Sequence, residues 1–128
     1  MGNPVDIINV QHLYGMNKQT HLATAATWYD IMPAVATDYV HKVNQIIVSN
    51  VDGGNNCDVN IGIELNGTTR YLVFAVTIPA DSSLSVIDTP LYLHYDANVS
   101  LGERLRANPQ NDADLDVIVS WEAITDVA

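Results

Sequence analysis

A chain of 128 residues, 48% of them hydrophobic, is long and apolar enough for one domain with a real core, which excludes a disordered chain. Fifteen acidic side chains against five basic ones give a formal charge of −10, a field that repels phosphate backbones and anionic membranes and so disfavours both as partners. The single cysteine excludes an internal disulfide; no run reaches membrane-spanning length and no basic-then-apolar leader opens the chain, so synthesis and folding in a cytoplasm are expected.

Residues 1–20 come first. Val5, Ile7, Ile8, Val10, Leu13 and Tyr14 follow no clean period before a turn at 15–19. This stretch reads as a short strand or an arm, whose apolar side chains must be covered by its own domain or by a neighbour. The remaining residues, 21–128, read as one β-sandwich domain. A strand is expected from about Leu22 to Ile31, stopped by Pro33. Over residues 39–51, Tyr39, Val43, Ile46 and Ile47 would suit a helix face, but the density of Val and Ile and the turn close behind favour a strand.

The clearest stretch is 57–78. Cys57, Val59, Ile61, Ile63 and Leu65 alternate with polar residues and glycine, the two-residue period of a strand with one dry face. Asn66-Gly67 then supplies the positive φ that a two-residue type I′ hairpin needs. An unbroken register would place Leu65 opposite Thr68, Arg70 opposite Ile63, Tyr71 opposite Gly62, Leu72 opposite Ile61, Phe74 opposite Val59 and Val76 opposite Cys57. Leu84 and Val86 begin a further strand, which Thr89-Pro90 interrupts before Leu91 and Leu93. Residues 99–107 carry Leu101, Leu105 and the basic pair Arg104 and Arg106, and 108–111 read as a loop. In the last strand Leu115, Val117, Val119 and Trp121 face in, while Asp112, Asp114, Asp116, Ser120 and Glu122 face out, with Ile118 the apolar exception. Short strands separated by turn signals imply an all-β fold, an antiparallel β-sandwich of jelly-roll type.

No catalytic constellation stands out. Asp112, Asp114 and Asp116 have the spacing that opens a calcium loop, but Val117 replaces its glycine and Ala123 its closing glutamate, so they read as the wet face of a strand. Asp88, His94 and Asp96 lack a second histidine at ligand spacing, and His12, His21 and His41 are scattered polar positions. There is no Gly-x-Ser-x-Gly elbow or phosphate-binding loop, and Cys57 reads as a small buried hydrophobe. No catalytic, metal or cofactor site is therefore expected. Trp28, Tyr29, Tyr92 and Tyr95 could stack on sugars if they shared an exposed face; packing in a core or interface is the commoner use of such rings.

From Lys42 to Ile124 the chain resembles a family of small structural proteins of tailed bacteriophages. The matching features are Ile46-Ile47-Val48-Ser49-Asn50, Val59-Asn60-Ile61 with Asn66-Gly67, Tyr71-Leu72, Thr77-Ile78-Pro79-Ala80, and Ser83-Leu84 with Ile87-Asp88-x-Pro90-Leu91. They continue in Leu101-Gly102-Glu103-x-Leu105-x-Ala107-Asn108 and in Asp116-Val117-x-Val119-Ser120-Trp121-Glu122-x-Ile124. The family more often has Gly-Asp at 102–103 and Tyr at 121, and residues 1–38 do not match. The resemblance implies a non-enzymatic virion protein, first of all a capsid decoration (cement) protein on the outside of the head. Its partners would be itself, as a homo-oligomer such as a trimer, and the major capsid protein or another virion protein. A tail, neck or fibre-attachment component is the alternative within the class, and a carbohydrate-binding module the alternative outside it. The candidate assembly contacts are Val5, Ile7, Ile8, Val10, Leu13 and Tyr14.

Overall fold

A computed structural model describes residues 12–125. Among them the chain forms ten strands: β1 (His12–Leu22), β2 (Tyr29–Met32), β3 (Tyr39–Asn50), β4 (Cys57–Leu65), β5 (Thr68–Ile78), β6 (Ser83–Ser85), β7 (Leu91–Asp96), β8 (Leu101–Gly102), β9 (Arg104–Pro109) and β10 (Leu115–Thr125). Every pairing is antiparallel. One sheet runs β1-β10-β3-β7-β8 with β6 also on β3, and the other runs β2-β9-β4-β5. Apart from the β4–β5 hairpin, the principal strands alternate between the sheets along the chain, the winding of a jelly roll.

The alternating pattern of the sequence builds the core directly. Val117, Val119 and Trp121 of β10 sit beside Val48, Ile46 and Val43 of β3, and all six turn into the sandwich. The second sheet answers with Ile31, Val59, Ile61, Leu105 and Ala107, each buried against them. The 39–50 stretch is a strand, as its β-branched residues favour, and Ile118 is exposed on the outer face of β10. β6 and β7 lie end to end along one edge of β3, opposite Ile47–Ser49 and Val40–Val43, with Thr89-Pro90 marking the break between them.

The central hairpin keeps its predicted register only near the turn. Leu65 faces Thr68, Ile63 faces Arg70 and Gly62 faces Tyr71, and Asn66 and Gly67 take the positive φ values of 53° and 83°. Beyond Gly62 the pairing slips twice, so Ile61 faces Val73, Val59 faces Val76 and Cys57 faces Ile78. The slips are β-bulges: Ala75 has a φ of 51°, and its N–H donates to Asn60 Oδ1 at 2.6 Å rather than to the ladder. One slip turns the strand over and the second turns it back. Phe74, expected on the dry side, is therefore 68% exposed, while Ile78 is buried.

Further expectations are corrected, and the first is the turn at 15–19, which is instead the unbroken middle of β1. The strand expected over 22–31 is the end of β1, a loop and the short β2; Ala26, at φ 55°, helps turn the loop, which carries neither Gly nor Pro to announce it. Asn108 and Pro109 belong to β9 rather than to a loop. Asp114 is buried, not outward, and accepts from Asn111 Nδ2 at 3.0 Å just before β10 begins.

Two positions pin the corners. Asn50 is buried with its amide engaged on both sides: Nδ2 donates to the carbonyls of Asn55 and Ile78, each at 2.9 Å, and Oδ1 accepts from the Asp52 N–H at 2.9 Å. It ties the 51–56 turn to the end of β5. At Gly102 the chain passes so close to Val35 that a methyl group would overlap that residue's backbone, and the Val35 N–H donates to the Glu103 carbonyl at 3.0 Å.

Candidate assembly surface

The acidic residues that might have gathered a cation are spread apart. Asp112 Oδ1 accepts from the Ala25 N–H, and Asp116 Oδ1 lies 2.6 Å from His21 Nδ1. His94 Nδ1 pairs with Glu103 Oε1 at 3.2 Å, and Asp96 accepts from the Asn98 N–H. Among the described residues no three His, Cys, Asp or Glu side chains converge as a metal site requires. Cys57 is buried, and burial raises its thiol pKa, the opposite of what a nucleophile needs.

Leu13 and Tyr14 lie near the start of β1, at the edge of the larger sheet, and both are exposed. β1 pairs with β10 of its own chain along its whole length, from His12 opposite Thr125 to Leu22 opposite Leu115. Its other edge faces no strand among the described residues. Val5, Ile7, Ile8 and Val10 lie outside the described residues.

Strand alternation sends Leu13 to one face of β1 and Tyr14 and Met16 to the other, the face toward the sandwich interior. Lys18, on that same face, donates from Nζ to the Asp30 carbonyl of β2 at 2.6 Å, so the second sheet reaches over β1 there. β2 is only four residues long against eleven in β1, and the end of β1 at Tyr14 and Met16 extends past its cover. An open groove of about 350 Å³ results. Its walls are Tyr14 and Met16 of β1, Tyr39 of β3 and the loop residues Pro33, Ala34 and Ala36, and its floor is His41, Trp121 and Ala123.

The floor holds an unusual pair. His41, expected as an exposed or satisfied polar position, is buried beside Trp121 with ring centroids 5.7 Å apart, and burial lowers its pKa from 6.5 to about 4. His41 Nδ1 and Trp121 Nε1 are both closed off from solvent without a hydrogen-bond partner. Such orphaned groups are rare in folded proteins and call for an explanation. Sequence patterning found Leu13 and Tyr14 but missed Met16, His41 and Trp121 as neighbours, because three strands far apart in sequence bring them together.

A second surface lies on the outer face of the smaller sheet. Tyr71 packs edge-on against Phe74 (centroids 4.9 Å, planes 78° apart) and tilted against Trp28 at 6.2 Å, while the Arg106 guanidinium stands 5.9 Å above the Trp28 ring. Beside it, Arg104 joins Glu64 (Nε to Oε1, 2.7 Å) to Asp30 (Nη1 to Oδ2, 3.1 Å). Arg106 Nε also lies 2.9 Å from Asp30 Oδ1, an ion pair bent too far to make a hydrogen bond. Burial alone would raise the Glu64 carboxyl, but Arg104 and the Gly67 N–H, which donates to Glu64 Oε2 at 2.7 Å, together hold it below its ordinary value. The expected quartet of aromatics is not assembled. Tyr29 packs on the core and accepts from the Thr24 N–H at 2.9 Å, and Tyr92 and Tyr95 belong to the other sheet.

No protein-family model matches the chain, and no curated relative matches its sequence. Solved structures do share its shape. A chain in the acid-stable capsid structure of Helicobacter pylori bacteriophage KHP30 superposes with a TM-score of 0.52 at 11% identity, over 92% of this chain and 91% of that one. A chain of the extra small virus of the prawn Macrobrachium rosenbergii gives 0.48 at 9% identity, covering 95% and 82%. A pentameric capsid protein from metagenomic phage sequences gives 0.39 at 18%, covering 87% and 60%. Of these three the first superposes closely enough to carry an argument, and at that identity it shows a shared fold.

Proposed function

We propose that the protein is a non-enzymatic structural component of a virion and, within that class, a decoration (cement) protein bound to the outside of a phage head. The observation that carries the virion reading is the end-to-end match to a chain of the phage KHP30 capsid structure, which covers 92% of this chain and 91% of that one. The motif resemblance over Lys42 to Ile124 supports it independently. A charge of −10 suits an exterior site, away from packaged nucleic acid. A decoration protein works by multiplicity, so self-association and contact with the shell protein are its expected interactions. Val5, Ile7, Ile8, Val10, Leu13 and Tyr14 are the residues proposed for self-contact.

Immunogold labelling of intact particles, with antibody to this protein, tests the reading. Gold over the whole head surface is the expected result. Gold confined to the tail or neck would move the protein to the alternative place in the same class, and unlabelled particles would remove it from the virion. The Trp28–Tyr71–Phe74 cluster favours a second reading, carbohydrate binding. Its rings meet edge-on and tilted instead of forming a flat platform, which weakens the case, and a glycan array decides it: saturable binding lost in Trp28→Ala would establish a sugar site.

A further inference from the structure

We propose that Asn66-Gly67 is a site of spontaneous covalent modification, succinimide formation followed by hydrolysis, and that Glu64 is the residue that holds this reaction in check. The sequence contains no other Asn-Gly pair. Asn66 and Gly67 are both exposed in the turn between β4 and β5, so water reaches them, and Gly67 has no side chain to shield its nitrogen. In the reaction the Gly67 nitrogen gives up its proton to hydroxide and attacks Cγ of Asn66. The new N–Cγ bond closes a five-membered ring, the Cγ–Nδ2 bond breaks, and Nδ2 takes a proton from water and leaves as ammonia. Water then opens the ring at either carbonyl, which leaves aspartate or isoaspartate at position 66. Both reacting atoms belong to neighbouring residues, so no encounter has to be paid for and only orientation stands in the way.

The geometry opposes the first step. The Gly67 N–H donates to Glu64 Oε2 at 2.7 Å, and Arg104 Nε donates to Glu64 Oε1 at 2.7 Å, so each carboxylate oxygen holds one donor. Glu64 is buried, and Arg104 is itself anchored on Asp30 at 3.1 Å, which fixes the carboxylate in place. The lone pair with which a deprotonated amide attacks lies where its N–H bond stood, and here that direction points at Glu64. Deprotonation would also set a second negative charge 2.7 Å from the carboxylate. Burial raises the Glu64 carboxyl, but Arg104 and the Gly67 N–H outweigh it and hold the group below its ordinary value, so it is a poor base for that proton. Ring closure therefore requires this hydrogen bond to break and the turn, with φ 53° at Asn66 and 83° at Gly67, to open.

Deamidation rates of the full chain, of Glu64→Gln and of Asn50→Ala test this. Each protein is held folded at neutral pH, and the peptide containing Asn66 is followed by mass spectrometry for its one-dalton gain, with isoaspartate separated by chromatography. Glu64→Gln keeps the shape of the side chain without its charge. It should deamidate faster by about tenfold or more, the factor that corresponds to losing one hydrogen bond to a charged group. Asn50→Ala, weakened elsewhere in the sandwich, should keep the rate of the unaltered chain, and in urea the unaltered chain and Glu64→Gln should react alike. Equal rates for the two folded proteins would overturn the proposal. A slower Glu64→Gln would overturn it too, by making the carboxylate a base for the reaction, as would an equal acceleration in Asn50→Ala, which would trace the effect to general loosening. Hydrogen exchange on the unaltered chain needs no variant: the Gly67 amide should exchange at least about tenfold slower than in the unfolded chain, and equal rates would overturn the proposal as well.

Discussion

His41 shows how one burial sets a pH response. Its imidazole titrates near 6.5 when the chain is unfolded and near 4 when folded, so the unfolded state binds more protons at any pH between. Stability attributable to this residue is therefore unaffected above about pH 7 and falls as the pH drops through the 6.5–4 window. At pH 5 the loss amounts to about 2 kcal/mol. Urea unfolding of the protein and of His41→Phe should show it: between pH 7 and pH 5 the protein should lose about that much more than the variant. Equal losses would mean that His41 is not buried as a neutral base. Gly67 makes the complementary case, because a Cβ there meets nothing within 4 Å, and any cost of substitution is backbone strain at its φ of 83°. Gly67→Val should lower stability by about 1–2 kcal/mol and Gly67→Asn by less, both read from thermal midpoints. The glycine was plain from Asn66-Gly67 alone, whereas His41 was not. A histidine between Val40 and Lys42 gives no sign that its side of the strand stays dry to the end.

At the scale of the strand, β5 separates what alternation reveals from what it hides. Its sequence continues an apolar period straight through Leu72 and Phe74, but the bulge at Ala75, fixed by the side chain of Asn60 on the facing strand, turns Phe74 out. Asn60 stands fifteen residues before Ala75 in the sequence but is its cross-strand neighbour in space, and a single sequence holds no signal for that contact. Phe74→Ala should therefore cost less than about 1 kcal/mol, not the roughly 3–5 kcal/mol of a buried phenylalanine, as denaturant unfolding would report. Asn50→Ala should behave oppositely: three hydrogen-bonding groups lose their partner inside the fold, and a loss of about 2–4 kcal/mol is expected in the same assay. β10 was legible because alternate positions from Leu115 to Ala123 are buried, β4 because Cys57, Val59 and Ile61 are, and β3 because its density of Val and Ile favours a strand. β2, four residues after an unpunctuated loop, offered too short a pattern to separate from β1.

For the whole molecule, the fold class followed from strands and turns, but the order of strands within each sheet did not, because neighbours in a jelly roll are remote in sequence. The groove shares that fate. Its floor joins β3 to β10, and its walls add β1 and the loop before β3. The placement of β1 also sharpens the test of the N-terminal region. Deleting residues 1–11 leaves all eleven β1–β10 pairs intact, and this protein should still melt cooperatively. Deleting residues 1–16 removes the first five of those pairs and uncovers Trp121, and its melting midpoint should fall by several degrees or its transition broaden. Similar midpoints for the two deletions would contradict the pairing of β1 with β10.

That same pairing governs how the protein comes into being. His12 meets Thr125, so the first described strand waits for the last, and drawing together a loop of that size carries an entropic penalty of about 4 kcal/mol before any contact repays it. The β4–β5 hairpin, closed by two residues, has no such delay and is the natural early structure on a ribosome. β1 must meanwhile remain without its partner until residues 115–125 have been made. Refolding in vitro should accordingly be slow, in milliseconds to seconds. On this ordering, β1 takes its place only at the end, once residues 115–125 have closed the core it packs beside.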